Sequence, residues 1–383
     1  MTTDKWNIKL LGSSGGTAFQ AVNTGKMPVP QDSSKAVAVL MSGGVDSSVT
    51  AYLLKQQNWN VLGITMKIPV SCNTGSRGCC GADAAFVCSE LNIPHYFVDV
   101  TEPFEELIIK QFRQSYSRGE TPNPCVDCNT LLKFSLLWDF LEETFGISYL
   151  ATGHYARVSK SEGQTRLGRA KDKAKDQSYF LYGIPPEKLQ RFVLPLGELI
   201  KDKVRSTAAQ LNLSVADKAE SMELCFAGQG DYRLVLDDLE VNRQGDITDM
   251  QGKIIGTHKG IANYTLGQRQ GIGYAGGKPL YVGKIDAAAN TIALGTREEV
   301  STHTVRAKEI NALIPEEFTL GSKFLGKIRS YGDPNLCTII DIGENSITVN
   351  FQRPQFAPCP GQKLVLYNNS DNVVAGGTIS TQK

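Results

Sequence analysis

Three things are missing from this 383-residue chain: an excess of charge of one sign, a long apolar run, and an even set of cysteines. No window approaches the ~20 uninterrupted apolar residues of a membrane span, which excludes an integral helical membrane protein. Lysine and arginine number 40 against 39 aspartates and glutamates. The net charge of +1 therefore argues neither for nor against nucleic acid, which needs only a local basic face. Nine cysteines, with no secretory apolar segment, fit a reducing compartment better than a disulfide framework, and a cytoplasmic location is expected. Residues 1–34 carry no arginine and no evident apolar periodicity. They are expected to form a disordered leader or an over-long gene start, and the missing arginine speaks against an organelle transit peptide.

An apolar fraction of 41% and a charged fraction of 21% describe an ordinary globular protein, long enough for two or three domains. From Lys35 the chain changes character. Residues 36–41, Ala-Val-Ala-Val-Leu-Met, read as a buried parallel strand, followed by a Gly/Ser loop and a helix over 47–56. Further strands are expected at 61–66, 95–100 and 149–152, with helices at 82–91, 103–116 and 130–145. This alternation predicts an α/β doubly wound parallel sheet, with ligands beyond the carboxyl ends of the strands, at the loops opening at Ser42, Lys67 and Gly153. After about Asp231 short strands punctuated by glycine take over, and 324–379 alternates strand by strand. The expected organisation is a catalytic domain over 35–229, a small β-rich linker domain over 230–300 and a C-terminal β-barrel over 301–383. No internal repeat is evident.

The loop Ser42-Gly43-Gly44-Val45-Asp46-Ser47-Ser48 follows the first strand and opens the first helix. Glycines let the backbone approach a phosphate, hydroxyls add donors, and a helix N-terminus supplies N–H groups and the positive dipole end. The lysine of G-x-x-x-x-G-K-[ST] is absent, so this is not a loop that cuts between β- and γ-phosphates. Residues 271–276, Gly-Ile-Gly-Tyr-Ala-Gly, match G-x-G-x-x-G, yet they follow no buried strand and precede no helix, so they are not a dinucleotide site. In Thr121-Pro122-Asn123-Pro124-Cys125-Val126-Asp127-Cys128-Asn129 two prolines fix a rigid approach, and a helix from Thr130 puts Cys128 at a thiolate-stabilising N-terminus. The C-x-x-C spacing also suits zinc, a disulfide or an iron–sulfur cluster. Zinc ordinarily wants a second pair, and Cys79-Cys80 are adjacent and distant. Cys225, in Leu224-Cys225-Phe226, reads by itself as a core residue.

Taken together these motifs resemble a known family. The loop Ser42–Ser48 resembles the pyrophosphate loop of N-type ATP pyrophosphatases, a Rossmann-like fold. Joined with 121–129, Ala151-Thr152-Gly153-His154-Tyr155, 175–181, Cys225-Phe226 and 264–269, it has the order and spacing of the tRNA-specific 2-thiouridylases from residue 36 to about 380. The resemblance implies an ATP-dependent tRNA-uridine 2-sulfurtransferase acting on the wobble uridine, releasing AMP and pyrophosphate. It places ATP on Leu40, Met41, Ser42, Gly43, Gly44, Val45, Asp46, Ser47, Met66 and Gly153, with Asp46 helping to hold Mg²⁺. It places the target uridine against Asn123, Pro124 and Cys125, and other tRNA contacts on His154, Lys175, Asp176, Gln177, Arg329, Ser330 and Gln362. Cys128 is implied as the nucleophile and Cys225 as the persulfide carrier. A Cys128–Cys225 disulfide then remains, and a cysteine desulfurase or sulfur-relay protein is the donor partner.

One residue departs from the family pattern. Many members carry Asp where this chain has Cys125, so Cys125, Cys128 and Cys225 could instead hold a 4Fe–4S cluster that binds sulfide. Other pyrophosphate-loop ligases and amidotransferases share the loop but have no need of Cys128 and Cys225. A non-catalytic RNA-binding protein has no need of an intact Ser42–Ser48 loop.

Overall fold

A computed structural model describes residues 5–13, 35–69, 81–161, 163–220, 224–227, 231–274 and 277–381. They divide into two compact units, one drawn from 1–107 and 126–230, the other from 108–125 and 231–383.

The first unit is built on a six-stranded sheet in the order Lys9–Ser13, His95–Asp99, Asn60–Lys67, Ala36–Leu40, Tyr149–Ala151, Phe192–Val193. The last five run parallel. Ala36–Leu40 lies centrally with Val37 and Val39 at 0% exposure, which is why it reads as a continuous apolar run and not as an alternation. From this strand the chain first builds outward through Asn60–Lys67 to His95–Asp99, then crosses to place Tyr149–Ala151 on the other side. The order therefore reverses beside Ala36–Leu40, and the crevice of a doubly wound sheet opens beyond the carboxyl ends of that strand and Tyr149–Ala151. The helix Val45–Gln56 turns Val45, Val49, Ala51 and Leu54 into the core, where Val204 and Ala208 of the helix Lys201–Gln210 join them.

Two expectations are corrected. The leader expected over 1–34 contains an edge strand, Lys9–Ser13, paired antiparallel with His95–Asp99. Trp6, Ile8 and Leu10 are half-buried while Lys5, Asn7 and Lys9 are exposed. An edge strand needs one apolar face only, and three residues are a faint signal. Residues 14–34 and Cys72, Cys79 and Cys80 lie outside the described residues. The helix expected from Thr130 starts earlier, at Pro124–Asp127, widens into π-helical turns over Cys128–Leu137 and continues as Trp138–Phe145. Proline suits a first helical turn because its missing N–H would have no partner there. Cys128 thus lies one turn inside the helix and not at its N-terminus.

The second unit opens with the helix Lys110–Ser117. Phe112 and Tyr116 of this helix stack on Tyr232, with ring centroids 6.1 and 5.5 Å away, and Arg113 pairs with Asp238 at 2.7 Å. These contacts group 108–125 with the C-terminal half, inside the span expected for the catalytic domain. A four-stranded sheet follows in the order Ile254–His258, Gly245–Asp249, Thr291–Gly295, Tyr281–Asp286. A closed six-stranded barrel completes the unit, in the order Ser301–Ala312, Ser346–Phe356, Asn335–Gly343, Lys323–Lys327, Lys363–Tyr367, Val373–Ser380. An α/β parallel-sheet domain, a small β domain and a β-barrel are the expected fold class. Among the described residues no helix is long and apolar enough to cross a membrane.

The barrel interior is closely filled. A Cβ at Gly326 would stand 2.8 Å from Cys337 Sγ and from the Phe351 ring, both fully buried neighbours. Gly326→Ala is therefore expected to destabilise the protein by about 1–3 kcal/mol, although alanine is ordinarily the better strand residue. A urea midpoint equal to or above that of the wild type would contradict this packing.

Candidate active site

The backbone leading into the Gly/Ser loop is fixed from below. Thr65 Oγ1 donates to the Met41 carbonyl at 3.0 Å, while His95 Nε2 meets the same hydroxyl at 2.8 Å. Burial pushes the His95 pKa down to about 4, so its ring is neutral. Gly43 then takes φ +68°, and a Cβ there would stand 3.0 Å from Asp83 Cβ and 3.1 Å from the Ala84 backbone nitrogen. A left-handed conformation in so tight a place requires glycine. Gly44 stands at the N-cap of the helix Val45–Gln56 with no side chain to accept from its first N–H groups, and the Ser47 and Ser48 hydroxyls donate back to the Gly44 carbonyl at 3.1 and 2.8 Å. Ser42 closes on Ser47, hydroxyl to hydroxyl at 3.2 Å.

Asp46 occupies the first turn, where the helix dipole favours a negative charge. Both of its oxygens accept from Lys201 Nζ at 2.8 Å, and Oδ1 also accepts from the Tyr155 hydroxyl at 2.8 Å. Lys201, 9% exposed, is shared with Glu220 at 2.9 Å, and Glu220 is held in turn by Lys175 at 2.9 Å. Hydrogen bonds from Lys175 and Lys201 hold the Glu220 pKa down at about 2. Burial and the Asp46 charge push the Tyr155 phenol far above its ordinary value, so it acts only as a donor. A second lysine, Lys218, donates to the Gly43 carbonyl at 2.9 Å and to Asp83 at 2.6 Å. These two lysines are the residues that reading the sequence missed. The absent loop lysine was the available signal: a phosphate cradle without its own cation draws one from elsewhere in the chain.

Gly153 follows Tyr149–Ala151 and lies against the loop. A Cβ there would be 2.8 Å from the Ser47 backbone nitrogen and 2.9 Å from the Asp46 carbonyl carbon. Leu40 to Ser47, Met66 at the end of Asn60–Lys67, and Gly153 thus gather at the same carboxyl edge of the sheet. The Asp46 carboxylate is thus already bonded to an ammonium and a phenol.

The other expected residues are placed as follows. His154 Nδ1 meets Thr152 Oγ1 at 2.8 Å, and burial, with the Lys133 charge, pushes its pKa down to about 3. Gln177 Oε1 accepts from the Tyr155 backbone at 2.9 Å. Asp176, expected as a tRNA contact, is bonded within its own turn. Its side chain is 2% exposed and accepts from Arg169 Nε, the Ala170 and Ser178 backbones and Ser178 Oγ at 3.0–3.2 Å, so it shapes the 169–178 turn.

Cys128 is buried, and the next residue, Asn129, donates to the Phe180 carbonyl at 3.0 Å and accepts from Lys133 at 2.9 Å. Cys225 is exposed in a turn anchored by Phe226, whose buried ring lies 5.9 Å from that of Phe104. Cys125, exposed, belongs to the second unit with Asn123 and Pro124. Cys128 and Cys225 belong to the first unit. In the second unit Arg329 donates to the Phe356 and Ala357 carbonyls at 2.7 Å, Ser330 beside it is half-buried, and Gln362 donates to the Thr121 and Pro122 carbonyls at 2.9 and 3.2 Å.

Gly153→Ala forces a methyl group onto the Asp46–Ser47 backbone. We expect ATP affinity to fall about tenfold or more, with the far-UV spectrum retained. Calorimetric titration showing unchanged affinity would contradict the close approach.

Three family models match in series. They are described as a tRNA methyl transferase HUP domain over 35–229, a tRNA methyl transferase PRC-barrel domain over 234–296 and an aminomethyltransferase beta-barrel domain over 302–379. A tRNA-specific 2-thiouridylase of Lachnoclostridium phytofermentans is 39% identical over 357 residues, covering 90% of this chain and 99% of that protein. The enzyme of the same name from Syntrophus aciditrophicus is 42% identical over 350 residues, covering 90% and 92%. That of Carboxydothermus hydrogenoformans is 41% identical over 362 residues, covering 90% and 97%. Identity at this level along nearly the full length of both chains means that this chain belongs to the tRNA-specific 2-thiouridylase family.

Proposed function

We propose that the protein replaces the C2 oxygen of the tRNA wobble uridine with sulfur, using ATP, in the cytoplasm. The observation that carries this reading is the Ser42–Ser48 loop at the switch point of the sheet, with Asp46 and two lysines drawn from distant segments around it.

The C2 carbonyl of uridine is a poor electrophile. Its oxygen attacks the α-phosphorus of ATP, the bond to the β-phosphate oxygen breaks, pyrophosphate leaves, and the N3 proton is released. Backbone N–H groups at the helix start, with Lys201 and Lys218, receive the charge that develops on the departing phosphates. Mg²⁺ at Asp46 would add a divalent charge against the pyrophosphate. His154, kept neutral, follows Gly153 and is available as a hydrogen-bond partner to the base; Lys175, Gln177 and Ser330 serve tRNA binding, Arg329 and Gln362 serve its geometry through the backbone they hold, and Asn123, Pro124 and Cys125 receive the uridine.

Sulfur then arrives as a persulfide on Cys225, supplied by a cysteine desulfurase or a sulfur-relay protein. Its terminal sulfur attacks C2 and AMP departs. The Cys128 thiolate attacks Cys225 Sγ, the S–S electron pair passes to the sulfur now on C2, and thiouridine and a Cys128–Cys225 disulfide remain. A thiol reductant restores both cysteines. The burial of Cys128 and exposure of Cys225 suit these separate tasks, since the carrier has to meet a donor protein.

With unmodified tRNA, ATP is expected to give AMP and pyrophosphate, and mass analysis of the digested tRNA is expected to show sulfur in place of oxygen. ADP with orthophosphate would contradict the loop assignment, and an added methyl group would favour the chemistry named in two of the domain descriptions. Cys128→Ser and Cys225→Ser should abolish thiolation, while Cys125→Asp should retain most of it in air with a persulfide donor. Activity that needs anaerobic iron reconstitution and vanishes in Cys125→Asp would establish the 4Fe–4S alternative.

A further inference from the structure

We propose that Arg329 and Gln362 are positioning residues, which together mount a barrel turn that grips Thr121–Pro122 and thereby fixes Asn123, Pro124 and Cys125. The inference rests on the proposed role of that loop in receiving the uridine; the grip itself is a matter of hydrogen bonds within one unit.

The turn over 356–362 is held at both ends. Arg329 gives two N–H groups, at 2.7 Å each, to the successive carbonyls of Phe356 and Ala357, and its guanidinium lies 5.6 Å from the Phe356 ring centroid. Ala357 sits at φ +44°, a left-handed conformation that a side-chain-bearing residue keeps only where its surroundings impose it. The far end is stitched to the barrel strand Val373–Ser380, with Gly361 N donating to the Ile379 carbonyl at 3.0 Å and Ile379 N to the Gln362 carbonyl at 2.7 Å.

From this mount three hydrogen bonds reach the loop. Thr121 N donates to the Pro360 carbonyl at 2.9 Å, and Gln362 Nε2 donates to the Thr121 and Pro122 carbonyls. The approach is close enough to require glycine between them: at Gly361, φ +92°, a Cβ would stand 2.9 Å from the Thr121 carbonyl carbon and 3.0 Å from the Pro122 nitrogen. Beyond the grip, Pro122 and Pro124 lock their own φ angles and restrict the residues before them. A displacement at Thr121 is therefore carried to Asn123 and Cys125 with little loss. A polar side chain whose donors are spent on backbone carbonyls acts on the substrate through that backbone.

Gln362→Met keeps the side-chain length and removes the donors. Hydrogen exchange over 119–127 should accelerate, tRNA affinity should stay within about twofold, and the single-turnover thiolation rate at saturating tRNA should fall between about tenfold and a hundredfold. Gly361→Ala, pushing on the same backbone, should show the same pattern. Arg329→Lys keeps the cation that a phosphate contact needs and loses the planar guanidinium whose terminal Nη2, set beside the Phe356 ring, reaches both carbonyls. It should slow thiolation while leaving tRNA affinity and its salt dependence unchanged. A tenfold loss of tRNA affinity in Gln362→Met with an unimpaired rate, or unchanged exchange over 119–127, would overturn the proposal. Should the wild-type protein thiolate nothing, the proposed function fails while the exchange measurement still decides the grip.

Discussion

One buried ion pair organises the catalytic edge of the sheet. An ammonium that is 9% exposed is tolerable only when carboxylates surround it, and Lys201 has two, Asp46 and Glu220. Asp46 lies in the first turn of Val45–Gln56 and Lys201 opens Lys201–Gln210, so the pair ties the starts of two helices whose apolar faces share one core. Tyr155 completes the arrangement from the loop after Gly153, and Gly153 admits that loop because it carries no Cβ. Removing Asp46 leaves the buried ammonium with Glu220 alone, whereas removing Lys201 takes the cation from both carboxylates at once.

The two cysteines answer a different need. Activation of an oxygen asks for fixed charges, whereas sulfur delivery asks for one thiol that a donor can reach and another that strikes only at the right moment. Cys225 is exposed on a turn pinned by buried Phe226, and Cys128 is buried in a wide helical turn whose next residue is bonded to the Phe180 carbonyl. In the proposed mechanism, positions of this kind would separate carrier from resolver by access and not by identity.

Much of the sheet could be read from the chain because a central parallel strand is apolar on both faces, as Val37 and Val39 are. Lys9–Ser13 escaped notice because an edge strand shows one half-buried face. The phosphate loop was legible since its letters are local. Lys201 and Lys218 were not, because each meets the loop across at least 155 residues of chain and no spacing rule spans that distance. Asp176, Arg329 and Gln362 illustrate the same limit. A polar letter at a family position tells nothing of where its hydrogen bonds go, and here they go to backbone groups of the protein itself. The C-terminal barrel was expected, but its strand order was not, since pairing Ser301–Ala312 with both Ser346–Phe356 and Val373–Ser380 is decided by tertiary registers.

The central claim is that an adenylated tRNA stands between nucleotide and sulfur. With α-phosphate-labelled ATP, Cys225→Ser can carry out the first step and lacks the sulfur that discharges it. Acid quenching of a single turnover should therefore leave label on the tRNA, at the wobble nucleotide after nuclease digestion, whereas persulfide-loaded wild-type protein should leave none and release labelled AMP. Label that never joins the tRNA in Cys225→Ser, although that variant binds ATP and tRNA as the wild type does, would contradict the account.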